Sequence, residues 1–190
     1  FIVLTTLLEL LATVAVVAGE EVSLRLDGFC GLGIGFESGG FHSLMALLAA
    51  SGWFAASVLS LEYFSHVKHR NRYYIFWMLT LGATVGVFLS ADLFTTFIFF
   101  EIMSFTSYVW VAQEETEGAL RAASTYLAVA VIGGMTTLMG LFMLWNQLGT
   151  LSFTGIREAM ATYQGNVTLA VWLTLVGFAG KAGMFPVHIW

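Results

Sequence analysis

The sequence predicts an all-α bundle of transmembrane helices, and three observations carry that prediction. Of 190 residues, 58% are hydrophobic and 10% charged, with one proline and a mean hydropathy of +0.86, far more apolar than a soluble domain of this size. Six apolar runs, each near the roughly 20 residues that span a bilayer core of about 30 Å, are separated by polar punctuation. Glycines recur inside the runs, at Gly133, Gly134, Gly140, Gly177, Gly180 and Gly183. They would weaken a soluble helix, whereas in lipid small residues let helix backbones approach.

In order, the runs lie near 1–18, 42–64, 73–91, 92–112, 122–146 and 167–187, and 1–190 is treated as one transmembrane domain. The chain starts at Phe1 inside an apolar run and stops a few residues after another, the pattern expected of a piece of a longer polytopic protein. The first run lacks a basic leading segment and carries Glu9 in its middle, which argues against a cleavable signal.

The long linker 19–41 contains Val22, Leu24 and Leu26 alternating with polar residues, then the pair Asp27 and Gly28, then Gly31, Gly33 and Gly35 interleaved with Leu32, Ile34 and Phe36. Period-two apolarity around an Asp-Gly pair fits a short hairpin; an irregular glycine-rich loop fits equally well. The linker 148–165 includes Arg157 and Glu158 in a weakly helical stretch expected to lie on the membrane surface.

Basic residues give the orientation. Lys68, Arg70 and Arg72 crowd the linker 66–72 and Arg121 ends the linker 113–121, whereas the alternate linkers carry only Arg25 and Arg157. The positive-inside bias places 66–72 and 113–121 in the cytoplasm.

Composition also excludes function classes. Twelve acidic against seven basic residues, a net charge of −5 and no basic stripe leave no electrostatic footprint for nucleic acid. The single cysteine, Cys30, cannot form an internal disulfide or, by itself, an iron–sulfur or zinc cluster. No metal-ligand or cofactor-binding pattern is present, and the abundant Met and Phe fill space in lipid.

Three ionisable residues stand deep in apolar runs: Glu9, Glu101 and Lys181. Each costs at least about 2.5 kcal/mol at a helix centre in hydrocarbon, so each needs a partner or water. Glu101 shares a helical face with Ser104 and Tyr108, and with Phe97 and Phe105 four residues away on either side. It therefore wants a cation. Lys181 is the candidate, flanked by Gly177, Gly180 and Gly183 and followed by Pro186, which predicts an interrupted helix near residue 186. Glu101 lies about 13 Å in from Asp92 and Lys181 about 20 Å in from the start of its run, an offset that long side chains can close. His188, seven residues beyond Lys181, joins its face if the helix continues and is a candidate proton-transfer group. The bland alternative is an ion pair that only fixes helix packing, but buried pairs are poor sources of stability. His42, Glu62, His66, His69 and Asp92, near run ends, are expected to be solvated at the interface.

These residues carry a resemblance. Leu26, Asp27 and Gly28, the stretch 59–63 (LSLEY), the stretch 92–108 (DLFTTFIFFEIMSFTSY) and the stretch 177–190 (GFAGKAGMFPVHIW) resemble the antiporter-like membrane subunits shared by respiratory complex I, energy-converting membrane hydrogenases and multisubunit Mrp cation/proton antiporters. The resemblance implies a bundle of about fourteen helices built from two inverted repeats, each with a helix broken in mid-membrane, of which this chain supplies the second to seventh. The orientation read from basic residues agrees with it. It matches Glu101 to the family's essential glutamate and Lys181 to its essential lysine, with His188 where a histidine often stands. The relay residues of the following helices lie beyond this sequence.

The expected function is that of a proton-translocating, non-redox subunit of a complex I-like (NADH:quinone oxidoreductase) or hydrogenase-like complex, with Glu101 as the switchable counter-charge that controls the proton on Lys181. The alternative is a subunit of an Mrp-type sodium/proton antiporter. Ser104 and Tyr108 are candidate supporting groups. Expected partners are the lipid bilayer, other membrane subunits, protons and possible sodium ions. Flavin, iron–sulfur clusters and quinone would belong to partner subunits, and the location is a bacterial or archaeal plasma membrane.

Overall fold

The computed structural model describes residues 1–65, 67 and 69–184. Its helices are α1 (Ile2–Ala18), α2 (Gly40–Tyr63), α3 (Arg70–Phe88), α4 (Leu93–Val111), α5 (Glu117–Leu148), α6 (Phe153–Thr162) and α7 (Thr168–Lys181), with strands β1 (Ser23–Leu26) and β2 (Ile34–Glu37) after α1. A helix thus occupies each apolar run, and α6 is the short helix in the linker 148–165. Three helices, α2, α4 and α5, are long and apolar enough to cross a membrane, while α1 and α7 are shorter apolar helices. α3 begins with Arg70, Asn71 and Arg72, which lowers its apolarity without shortening it.

The hairpin is formed, not an irregular loop. β1 and β2 pair antiparallel with Ser23 opposite Glu37 and Leu26 opposite Ile34, and the connection uses left-handed backbone at Gly28, Gly31 and Gly33. At 32 residues α5 is about 48 Å long, more than the bilayer core requires. It begins on a Thr116 side-chain cap and ends on left-handed Gly149.

The linkers sort to two ends of the bundle, as alternation requires. At one end the hairpin meets the α3–α4 and α5–α6 connections: Ala91 N–H donates to Gly35 O (2.9 Å), Glu37 N–H to Leu89 O (2.8 Å) and Leu93 N–H to Leu151 O (2.9 Å). Asp92 binds this junction together. Its Oδ1 accepts from Thr95 N–H at 2.7 Å and its Oδ2 from Thr95 Oγ1 at 2.9 Å, while that hydroxyl accepts from Gly35 N–H at 2.9 Å. Asp92 is only 7% exposed, so it is a buried cap rather than the solvated interfacial residue expected. His42, also expected in solvent, reaches Phe88 O through Nδ1 at 2.9 Å.

At the opposite end Arg72 clamps the α4–α5 linker, donating to Glu115 at 2.6 Å and to Gln113 Oε1 at 3.4 Å. Rings of Phe64, Tyr73, Trp77 and Trp110 pack in series beside it, an aromatic layer of the kind that sits at a membrane interface.

Two packing features position the interior. Phe94, Phe97, Leu141, Leu144, Leu151, Val167 and Ala170 form an apolar core at the hairpin end of α4, α5 and α7. Below it α5 and α7 touch backbone to backbone. A Cβ at Gly133 would stand 2.9 Å from Gly177 O, and one at Gly140 would stand 2.7 Å from Thr174 N. Of the glycines noted in the sequence, Gly133, Gly140 and Gly177 are therefore the contact surface of this pair.

Candidate functional site

The site lies where α7 stops. Gly183 adopts φ +68°, Ala182 N–H bonds Phe178 O and Met184 N–H bonds Ala179 O, which is the glycine-terminated Schellman stop. The helix therefore ends at Lys181 because Gly183 turns the chain. Pro186 and His188 lie outside the described residues, so the expected interruption at 186 and the placement of His188 are not described. At about 1.5 Å per residue α7 is about 20 Å long, so a helix entering the bilayer at Thr168 ends inside it.

Lys181 meets α4 one turn deeper than the sequence reading expected. Its Nζ donates to Ser104 Oγ, and the ion pairs within 4 Å among the described residues are Arg25 with Asp27 and Arg72 with Glu115, not Lys181 with Glu101. The difference in depth explains this. Glu101 is about 12 Å below Leu93 and Ser104 about 16 Å, which brings Ser104 closer to the level of the end of α7.

Aromatic faces complete the surroundings of the ammonium. Its Nζ stands 5.0 Å from the centre of the Phe100 ring and 5.8 Å from that of Tyr126, within the range of cation–π attraction. Phe178 holds Phe100 in place edge-on, with centroids 4.8 Å apart. Ser104 in turn donates to Phe100 O at 2.8 Å. Among the described residues no group of three His, Cys, Asp or Glu side chains converges that could hold a metal ion.

Glu101 presses against α5 where glycine leaves room. A Cβ at Gly134 would fall 2.7 Å from Glu101 Oε1, and that oxygen is buried with no hydrogen-bond partner among the described residues. Such an oxygen is costly at rest. Phe97 is buried beside this face, but Phe105 is 52% exposed and turns outward, so only one of the two expected phenylalanines shields the carboxylate.

Two residues at the site escaped the sequence reading. Ser107 and Tyr126 are both buried, and their hydroxyl oxygens are 2.5 Å apart. Ser107 lies three residues beyond Ser104 and was legible as sharing its face; Tyr126 comes from α5 and depends on the α4–α5 register. Tyr108 is half-buried further along α4, and the tyrosine ring beside Lys181 is that of Tyr126. Glu9 lies half-buried on α1, which packs on α2.

Comparison with known proteins places this geometry in a family. Residues 90–190, which hold Glu101, Ser104, Tyr126 and Lys181, match the family described as NADH:quinone oxidoreductase/Mrp antiporter, TM. A putative antiporter subunit mnhD2 of Staphylococcus aureus is 28% identical over 187 residues, covering 95% of this chain and 37% of the relative. A Na(+)/H(+) antiporter subunit of Alkalihalophilus pseudofirmus is 26% identical over 152 residues, covering 79% and 31%. The chain thus spans about a third of the length of these curated relatives. Among solved structures, a chain of the membrane-bound sulfane sulfur reductase, an archaeal respiratory membrane complex, superposes with a TM-score of 0.87 at 25% identity, covering 100% of this chain and 40% of that one. A chain of the Mrp complex from Dietzia sp. shares the fold at a TM-score of 0.72 and 20% identity, over 98% of this chain and 36% of that one. The chain belongs to the NADH:quinone oxidoreductase/Mrp antiporter transmembrane family and is an antiporter-like integral membrane subunit.

Proposed function

We infer that this chain is part of a proton-translocating subunit of a respiratory, complex I-like or hydrogenase-like assembly, in which Lys181 holds the proton and Glu101 is its switchable counter-charge. The observation that carries the inference is the Lys181 ammonium at the end of α7, hydrogen-bonded to Ser104, with a Glu101 oxygen that has no hydrogen-bond partner among the described residues one turn away on α4. A structural ion pair would bring the two charges together. Here Lys181 is held instead by Ser104.

The chemistry follows from electrostatics. Two unit charges about 4 Å apart interact by about 4 kcal/mol at an effective dielectric of 20. Movement of Lys181 toward Glu101 favours the ammonium, and movement back to the neutral hydroxyl of Ser104 withdraws that stabilisation and favours release of the proton. The apolar core at the hairpin end, with Phe94, Phe97, Leu141 and Leu144, blocks leakage along α4 in that direction. The linkers 66–72 and 113–121 face the cytoplasm, and the onward path belongs to helices beyond this chain.

A second reading is that the assembly is an Mrp-type antiporter that exchanges sodium for protons without redox chemistry. The names of the curated relatives favour it, whereas the 0.87 TM-score to a respiratory complex favours the first. Purification of the full-length protein from its native membrane, with mass spectrometry of the co-purifying subunits and flavin and iron–sulfur absorbance, separates them. Redox subunits with absorbance support the first reading; a colourless set of membrane subunits supports the second.

A further inference from the structure

We propose that Gly134 is a positioning residue for Glu101: its missing side chain leaves a niche on α5 that seats the Glu101 carboxylate in the position unpaired from Lys181. The proposal rests on the reading of Glu101 as the switchable counter-charge and adds where that charge is held while it is not paired.

Three observations carry it. First, a Cβ at Gly134 would fall 2.7 Å from Glu101 Oε1 and 2.8 Å from both Cδ and Oε2. The whole carboxyl group thus occupies the space that any other residue at 134 would fill. Second, Gly134 lies in the interior of α5 and is not among the glycines with left-handed backbone. Its conformation therefore does not call for glycine, which inside a helix is weaker than alanine. Nor does the contact with α7 call for it: Gly133 and Gly140 meet Gly177 and Thr174, whereas Gly134, about 100° further round the helix than Gly133, meets Glu101 of α4. Third, Glu101 Oε1 is buried with no hydrogen-bond partner among the described residues. Shape rather than a donor holds that oxygen, so no hydrogen bond at that atom has to break when the carboxylate leaves.

A methyl group at 134 would expel the carboxylate from α5. Arg25 stands on the hairpin, Arg157 on α6, and Arg70, Arg72 and Arg121 near the starts of α3 and α5. Lys181 is then the cation available in the interior among the described residues, with its ammonium at Ser104, one turn along α4. The displaced carboxylate pairs with Lys181, and a paired ammonium keeps its proton. Glycine at 134 thereby keeps the unpaired state accessible.

The test is a pair of double-mutant cycles on the full-length protein in its assembled complex. The first reads thermal stability in mild detergent. Gly134→Ala is expected to lower it in the parent and to lower it much less beside Glu101→Ala, which empties the niche; equal losses in both backgrounds overturn the niche. If Gly134→Ala does not assemble, adding Glu101→Ala is expected to restore assembly, and failure to restore it overturns the niche as well. The second cycle reads proton translocation in sealed vesicles with a pH-sensitive dye. Gly134→Ala is expected to slow translocation at least about 10-fold, and by less than about 2-fold beside Glu101→Asp, whose shorter side chain leaves room for the methyl. An assembled Gly134→Ala complex at the parent rate overturns the positioning role, and so does equal slowing in both backgrounds. If Glu101→Asp alone is too slow to read, the stability cycle decides. Gly133→Ala is the control, because its Cβ meets Gly177 O and not Glu101; its effects should be the same in every background. Lys181→Ala separates this proposal from the reading beneath it: with Lys181→Ala inactive, a parent rate in Gly134→Ala overturns the niche alone, whereas full activity of Lys181→Ala overturns the proton-holding reading with it.

Discussion

Lys181 donates its hydrogen bond to Ser104 and not to Glu101, although both lie on the inner face of α4 one turn apart. This relationship makes Ser104 the group that holds the lysine in its unpaired position. A hydrogen bond to a charged group contributes about 1.5–3 kcal/mol. Ser104→Ala is therefore expected to leave the complex assembled and to change the rate of proton translocation about 10-fold or more, read as dye quenching in vesicles. An unchanged rate would mean that the hydroxyl is incidental.

The α5–α7 contact sets the depth of Lys181, since Gly133 and Gly177 meet backbone to backbone. Gly133→Ala places a methyl 2.9 Å from Gly177 O and is expected to cost about 1–3 kcal/mol by overpacking. Gly82→Ala is the control, because nothing stands within 4 Å of its Cβ position. Thermal stability in mild detergent should fall for the first and hold or rise for the second.

Asp92 ties α4 to the hairpin through Thr95 and Gly35. Loss of a helix cap costs about 0.5–2 kcal/mol, and here it also frees the hairpin. Asp92→Ala is expected to lower thermal stability and to speed proteolysis within 19–39, with Asp92→Asn intermediate. Equal cleavage rates in Asp92→Ala and parent would contradict the role.

The Arg72 clamp supplies a pH dependence at the opposite end. Its hydrogen bond and charge hold the Glu115 carboxyl below the usual carboxylate value. A lowered value in the folded state means that the clamp's stabilisation is present above the unfolded carboxylate value and is lost as pH falls through the folded one. Glu115 is solvent-exposed, so the effect is small and screened by salt. Glu115→Gln is expected to flatten the acid side of the stability profile slightly at low ionic strength, with the difference fading in high salt.

Much of this was legible in the sequence because lipid leaves few alternatives: the apolar runs located the helices, and the glycines, 133, 140 and 177 among them, marked these helices as closely packed without saying which pair they join. Glu101 and Lys181 stood out because charge is expensive in a membrane. What could not be read was relative depth and register. A single turn of α4 decides between Glu101 and Ser104 as the partner of Lys181, and that turn depends on where Gly183 ends α7. Tyr126 depends on how α5 slides along α4, which no residue pattern within either helix records. Asp92 resembled an interfacial carboxylate because its partners, Thr95 and Gly35, become its neighbours only when the hairpin folds over the start of α4.

The central claim, that Lys181 carries the proton, is tested most directly by measuring proton translocation by the assembled complex bearing Lys181→Ala, with assembly checked by co-purification of its subunits. The account predicts a complete set of subunits and loss of translocation. An assembled Lys181→Ala complex that moves protons at the parent rate would contradict it.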